Sequence, residues 1–395
     1  MFPSAHVPHP YDKYIKFKSG FKRLFTGETM QKIKVLQFIT GLHLGGAEKM
    51  MLRTIEHLDH NKFDLQVASL VGGELEKEIS GKFPLHLFNT PHLFDFFTAI
   101  NKLHRLIKKE EYDLIHSYMF HANIIARIAA VGTNAKVISS IRIKEIKYWH
   151  HTLIDALTSF LVDKYTCVSE SVRQFVIKKE HLRPEKILTI PNAIDFNQFP
   201  KKVNILAKKK ELGIDEKTPV IMSVANLRKT KDYPTLFNAL AIVLHTQNVH
   251  LLVVGSGEAE EAYRKIPAAL GISENVHFLG FRDDVFELIM ASDLCVLSTF
   301  YEGQSNALLE YMALKKPIIA TDIEENREVI TNGKEGILVK EKNPTQMAEA
   351  ILHAITDKKT ATTMANNAYA RVTKEHNITT TVRSTEELYQ TLCAE

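Results

Sequence analysis

Short apolar runs alternate with amphipathic stretches along most of the chain. The first run, Ile33 to Ile39, leads through Thr40-Gly-Leu-His-Leu-Gly-Gly-Ala-Glu48 into a segment with helical spacing that ends near Leu58. The rhythm then repeats. Strands are predicted over Phe63–Leu70, Leu114–Ser117, Val137–Ile141, Tyr165–Ser169 and Ile187–Ile190, with helices over Ala99–Lys109 and Ala122–Val131 between them. After Pro191 the pattern loosens into a polar, basic stretch that includes Phe199-Pro200-Lys201-Lys202 and Lys208-Lys209-Lys210. A second series begins at Val220–Val224 and continues with Val249–Val254, Val276–Leu279, Leu294–Ser298, Pro317–Thr321 and Gly336–Val339. Strands alternating with helices imply parallel sheets covered on both faces, so the expected class is α/β with two doubly wound domains.

The predicted division is an extension at 1–31, a first domain at 32–195, a second at 196–377 and a terminal helix at 378–395, with Pro191 to Pro200 as the linker. In the extension, Tyr14, Phe17, Phe21 and Phe25 share one helical face flanked by Lys13, Lys16, Lys18, Lys22 and Arg23. That makes it a candidate for peripheral contact with a membrane, or for docking on the body of the protein.

Composition narrows the class. At 395 residues the chain exceeds a single ordinary core, and 45% hydrophobic with 24% charged residues is a globular balance. A net charge of +4 is too small to argue for nucleic acid but suits an anionic ligand. Three dispersed cysteines, Cys167, Cys295 and Cys393, show no metal spacing and point to a reducing cytoplasm. No apolar run is long enough to span a bilayer, and no signal-peptide pattern opens the chain.

The chemistry concentrates at Leu294-Cys-Val-Leu-Ser-Thr-Phe-Tyr-Glu-Gly-Gln-Ser-Asn-Ala-Leu-Leu-Glu310. A strand ends near Ser298, Glu302 and Gly303 fall in the loop, and Ser305 is placed to cap a helix from Asn306 to Leu314. The first-turn amides of Asn306, Ala307 and Leu308, together with the helix dipole, form a site for a diphosphate. Glu310 lies one turn in, where a carboxylate accepts from paired ribose hydroxyls. Carboxylates beside a diphosphate need cations. Arg228 and Lys231, just after the Val220–Val224 strand, supply them and would stabilise the charge that develops on a departing phosphate. The acidic pair Asp283-Asp284 reads as a helix cap and not as a metal motif, so no obligatory metal is expected.

These residues carry a resemblance. The region from Lys32 to Leu392 resembles the family-four retaining glycosyltransferases of GT-B fold. The resemblance rests on Glu302-x7-Glu310, on Lys316-Pro317 with Thr321-Asp322, and on Phe278-Leu-Gly-Phe-Arg-Asp-Asp-Val285. Ser292-Asp293-Leu294, Val254-Gly-Ser-Gly-Glu258 and Pro191-Asn-Ala-Ile-Asp195 add to it. It implies two Rossmann-like domains facing across a cleft, with the C-terminal helix crossing back to the first. Arg228 and Lys231 would hold the donor diphosphate, Glu310 the ribose, and Glu302 would face the donor sugar. Gly255 and Gly257, Gly46 and Gly303 would line the donor site. Retention with no placed nucleophile implies front-face attack. Two departures stand out: Ala225-Asn226-Leu227 replaces the family's usual Gly-Arg-Leu, and Ala193 stands where the linker motif has glycine.

On the amino-terminal side, Gly45-Gly46 opens the first helix, and glycine there lets backbone approach a ligand. His121 is a candidate for contact with the sugar, while Tyr118 stands where the family commonly has histidine. Arg142, Lys144 and Lys147, with Tyr148 and Trp149, form a basic and aromatic patch suited to an anionic or lipid-linked acceptor. The function implied is transfer of a hexose or hexosamine from a nucleoside-diphosphate sugar to a glycan or glycolipid hydroxyl, in polysaccharide or lipopolysaccharide synthesis. Its expected setting is the cytoplasm, at the inner face of the membrane. A sugar-nucleotide epimerase is the alternative, but no acid/base cluster suits it. A non-catalytic sugar-nucleotide-binding subunit would not need all four of Glu302, Glu310, Arg228 and Lys231.

Overall fold

The computed structural model describes residues 31–92, 95–144 and 149–394. The basic, aromatic extension lies outside them. The chain forms two compact units. One ends at Asn192 and resumes at Ile378, and the other is Ala193–Asn377.

In the first unit, seven strands form one parallel sheet. They are β1 (Ile33–Gly41), β2 (Phe63–Val71), β3 (Leu85–Leu87), β4 (Leu114–Tyr118), β5 (Lys136–Ile141), β6 (Lys164–Cys167) and β7 (Ile187–Thr189), ordered β3-β2-β1-β4-β5-β6-β7. The helices are α1 (Gly46–His57), α2 (Glu76–Ser80), α3 (Phe96–Glu110), α4 (Phe120–Ala129), α5 (Trp149–Thr158) and α6 (Glu170–Lys179). β3 has no counterpart among the predicted strands. Three residues behind Pro84 are too few to register a period, and the strand exists because Leu85–Leu87 completes the edge of β2.

The second unit repeats the design with six strands. β8 (Val220–Val224), β9 (His250–Val254), β10 (Val276–Gly280), β11 (Leu294–Leu297), β12 (Ile318–Thr321) and β13 (Ile337–Val339) are ordered β10-β9-β8-β11-β12-β13, again parallel. Its helices are α7 (Ile205–Glu211), α8 (Tyr233–Leu244), α9 (Glu260–Ala269), α10 (Val285–Ala291), α11 (Asn306–Ala313), α12 (Glu324–Arg327), α13 (Pro344–Thr356) and α14 (Lys358–Glu375). Successive strand residues divide between two cores. Ile221, Val253 and Val296 join α8 and α13 on one face, while Met222, Val254 and Leu297 join α11 and α14 on the other. Burial on both faces is why these strands read as continuous apolar runs. The direction of winding reverses between β8 and β11, and between β1 and β4. The ends of those pairs are the switch points at which doubly wound sheets bind ligands.

The last helix, α15 (Ile378–Ala394), belongs to the first unit. Its Tyr389 is fully buried, and its hydroxyl lies 2.7 Å from His116 Nδ1 and accepts from Gln37 Nε2 at 3.0 Å. Tyr118 donates to Gln37 Oε1 at 2.9 Å. Thr381 donates to Pro191 O at 3.0 Å, fastening the other end of the helix. Burial holds His116 neutral, its pKa lowered to about 3, with the Arg142 charge as the smaller cause.

Because His116 is neutral in the fold and takes up a proton in the unfolded chain below about pH 6.5, its contribution to stability is lost as pH falls through that value. Going from about pH 6 to about pH 4, the wild type is expected to lose about 2–3 kcal/mol more unfolding free energy than His116→Gln. Urea denaturation at each pH checks this. Equal pH slopes would contradict it.

Candidate active site

The second unit's switch point gathers most of the candidate residues. From β11 the chain continues as Ser298 and Thr299, both stitched to the segment after β8. Ser298 Oγ donates to Asp232 O at 2.8 Å, and Asp232 N returns a bond to Ser298 O at 3.0 Å. Thr299 Oγ1 donates to Thr230 O at 3.2 Å, and Phe300 N to the same oxygen at 2.9 Å. Ser305 caps α11 as expected, accepting from Leu308 N at 3.3 Å. The cap carries a correction. The Leu308 amide is committed to Ser305, which takes it out of the first-turn anion site expected of Asn306, Ala307 and Leu308. Asn306 and Glu310, four residues apart, share a face of α11. On the opposite side, Tyr311 accepts from Val224 N at 2.7 Å and ties the helix to the end of β8.

Arg228 and Lys231 occupy the two ends of a β-turn, closed by Lys231 N donating to Arg228 O at 2.9 Å. Tyr263 of α9 donates its hydroxyl toward Arg228 O at 2.9 Å and Lys231 O at 2.7 Å. Lys231 and Glu302 form a direct ion pair, with side chains only 14% and 12% exposed. The sequence marks both as ligand contacts, and in the structure they neutralise each other. Arg228 stays on the exposed side of the turn.

Gly255 and Gly257 have a local reason to be glycine. Gly255 has φ +123°, and a Cβ there would meet Ala225 O at 2.1 Å; at Gly257 it would meet Leu227 O at 2.6 Å. They let the β9–α9 segment run against Ala225–Leu227, which it holds at Leu227 through Leu227 N to Ser256 O at 2.9 Å and Ala259 N to Leu227 O at 2.8 Å. The Asp283-Asp284 reading also changes. Asp284 stands at the head of α10 without capping it. Arg282 donates to its two oxygens at 2.7 and 2.8 Å, and Lys208 pairs with it, so the carboxyl is held well below its usual range. Among the described residues, no group of three or more His, Cys, Asp or Glu is placed to hold a metal.

The remaining candidates belong to the first unit. Gly45 is the N-cap of α1, and a Cβ on it would stand 2.1 Å from Glu48 Oε2. The buried Glu48 carboxylate therefore folds back over the head of the helix next to Gly46, where the dipole favours negative charge. Arg142 is not part of an exposed patch. It donates to Asn192 Oδ1, and burial lowers its pKa to about 10 beside Tyr118 and Glu48. Lys144 is half-buried, and Lys147 lies outside the described residues. His121, at the start of α4, lines a cavity of about 210 Å³ with Thr40, Thr90, Asp95 and Phe96, and desolvation lowers its pKa. The hydroxyls of Thr40 and Thr90 are buried there without a hydrogen-bond partner.

With this geometry in view, the family models are decisive. The glycosyl transferases group 1 model matches residues 204–371, and the Glycosyltransferase Family 4 model matches residues 44–198. The chain belongs to the group 1 glycosyltransferases. A similar protein is the Escherichia coli UDP-Gal:alpha-D-GlcNAc-diphosphoundecaprenol alpha-1,3-galactosyltransferase. It is 25% identical over 380 residues, covering 91% of this chain and 97% of that one. The Staphylococcus aureus capsular polysaccharide biosynthesis glycosyltransferase CapM is 25% identical, covering 93% and 99%. Among solved structures, Anabaena HepE in complex with UDP and glucose has a TM-score of 0.82 at 21% identity, covering 91% of this chain and all (100%) of that one. Two parallel-sheet units of this topology, with such neighbours, give the glycosyltransferase a GT-B fold.

Sequence reasoning missed Tyr263, Thr230 and Thr299. Each acts through bonds between residues 32 to 69 positions apart, which no local pattern carries.

Gly255→Ala would force a strained φ and a backbone collision, and is expected to lower unfolding free energy by about 2–4 kcal/mol. Denaturant titration reads this directly. A loss under about 0.5 kcal/mol would mean the loop has room to spare.

Proposed function

We propose that this glycosyltransferase moves a hexose or hexosamine from a nucleoside-diphosphate sugar, UDP-linked by preference, with retention and without an obligatory metal. The observation that carries the reading is the Lys231–Glu302 pair at the switch point between β8 and β11. A desolvated cation beside the head of α11 is arranged for an anionic ligand.

In this reading Arg228 and Lys231 hold the diphosphate, with the amides of Asn306 and Ala307 completing the anion site. Glu310 binds the ribose. Glu302, released from Lys231, faces the sugar. The bond from C1 to the β-phosphate oxygen breaks as the acceptor oxygen bonds C1 from the same face. The acceptor proton passes to the departing phosphate oxygen, and the fixed cations stabilise the charge left on the nucleotide. Gly303 keeps the loop close to the ligand, and Gly46, Gly255 and Gly257 shape the segments around it.

The acceptor is assigned to the first unit. The cavity beside His121 offers the Thr40 and Thr90 hydroxyls and Asp95 against the ring of Phe96, which suits a neutral pyranose. Arg142 is inward-facing, which leaves Lys144 and Lys147 for an anionic portion of the acceptor. The diphosphoundecaprenol in the name of the E. coli relative supports a lipid-linked acceptor, and the capsular polysaccharide biosynthesis named for the S. aureus relative supports a place in envelope polysaccharide synthesis. Such an acceptor calls for a place at the inner face of the cytoplasmic membrane. No helix among the described residues is long and apolar enough to cross a membrane. However, α5 exposes Trp149, Leu153 and Leu157 at four-residue spacing, with Phe160 just beyond, a surface suited to the bilayer interface.

Three measurements test these assignments. In calorimetric titration with UDP, Lys231→Ala should weaken binding about tenfold or more, while Glu302→Gln, which frees Lys231, should bind at least as tightly as wild type. With a UDP-sugar and a lipid-linked glycan, turnover by Glu302→Gln should fall about a hundredfold or more. Unchanged UDP affinity in Lys231→Ala would sink the donor assignment. In flotation with anionic vesicles, Leu153→Ser with Leu157→Ser should reduce the bound fraction severalfold. Equal flotation would remove α5 from the membrane face.

A further inference from the structure

The Arg228–Lys231 turn is held against its own chemistry. Its sequence, Arg-Lys-Thr-Lys, lacks the Gly, Pro, Asn or Asp that favours a turn, and it places three cations within four residues. Glu302 neutralises Lys231 but not Arg228 or Lys229, so the pairing does not by itself close the turn. Something outside the turn must hold it. Two sets of bonds do so. Thr299 and Phe300 grip Thr230 O at the middle of the turn, and Tyr263 grips the carbonyls at both ends.

We infer that Tyr263 is a positioning residue for the donor diphosphate, its hydroxyl drawing the ends of the Arg228–Lys231 turn together so that both cations face one ligand. This rests on the reading that those cations hold the diphosphate. The geometry is specific. One phenol proton serves two carbonyl oxygens at 2.9 and 2.7 Å, so the hydroxyl fixes a single point from which both ends of the turn are measured. Tyr263 is itself buried, which holds its hydroxyl under the turn. Burial, with Asp232 and Glu258 nearby, raises its pKa and keeps the phenol a donor. The ring is itself fixed, with its centroid 5.2 Å from that of Tyr233 at the start of α8. The helix that carries it is docked to the same loop by Ala259 N donating to Leu227 O. Tyr263 touches no reacting atom in this scheme. It acts through the two cations.

Tyr263→Phe keeps the ring and deletes only the hydroxyl. Calorimetry with UDP and steady-state kinetics on the full chain should show UDP dissociation constant and donor KM raised about five- to tenfold, with acceptor KM unchanged. On a Lys231→Ala background, the same substitution should add less than about twofold, because with one of the two cations gone the spacing that the hydroxyl sets between them no longer matters. Wild-type UDP affinity and donor KM in Tyr263→Phe, even with a lowered Tm, would overturn the inference and leave the hydroxyl a purely structural bond. A full additive effect on the Lys231→Ala background would also overturn it. Lys231→Ala binding UDP as wild type does would instead overturn the underlying donor assignment. Because that result concerns Lys231 alone, the two failures are distinguishable.

Discussion

Two neighbouring central strands, β8 and β11, send their chains to opposite faces of the second sheet, and the ends they leave open must be closed by bonds the sheet ladder does not provide. Everything at the site follows from how that closure is made. Backbone groups at the end of a buried parallel strand need partners. Here the two loops supply them to each other, through Ser298 with Asp232 and Thr299 with Thr230. The lacing leaves the Lys231 and Glu302 side chains facing each other, and they pair.

That pairing suits a binding site better than it suits stability. Two charges withdrawn from water recover in attraction roughly what they lose in hydration, so the net gain is small. On the donor assignment proposed above, the arrangement provides a cation held in place and compensated by a carboxylate. A diphosphate carries more charge than one carboxylate, so in that proposal it replaces Glu302 beside Lys231 and leaves the carboxylate for the hydroxyls of the sugar. The glycines of the β9–α9 segment and the phenol of Tyr263 belong to the same construction, since a loop carrying three cations needs support from the chains around it.

Much of this was legible in the sequence. Strands buried on both faces announce themselves as apolar runs, and Ser305 ahead of Asn306 is a cap whose consequence is fixed by local geometry. The Glu302-x7-Glu310 spacing places one carboxylate in a loop and one on a helix face. What could not be read were bonds between segments distant along the chain. Asp284 looked like a cap, yet Lys208, from a helix 76 residues earlier, helps Arg282 claim its carboxylate. Arg142 looked like part of a surface patch, but Asn192, 50 residues later, draws it inward. Gly255 and Gly257 fit a ligand loop in the sequence, and only the positions of Ala225 and Leu227 show that a chain crossing also requires them. Leu308 is the reverse case, since the local Ser305 cap alone is enough to occupy its amide.

The first sheet has the same switch, between β1 and β4, and closes it with different chemistry. Gln37 and His116 are ladder partners across that pair, and Tyr118 and Tyr389 complete a ring of neutral hydrogen bonds with them. Burial keeps His116 uncharged and the phenols protonated. A neutral, fully buried network has nothing to gain from an incoming phosphate, and removing one member leaves others unsatisfied at about 1–3 kcal/mol each. It locks α15 to the sheet. Topology alone therefore does not make a nucleotide site. The first switch is backed by a network of neutral donors and acceptors, and the second is closed by a pair of opposite charges.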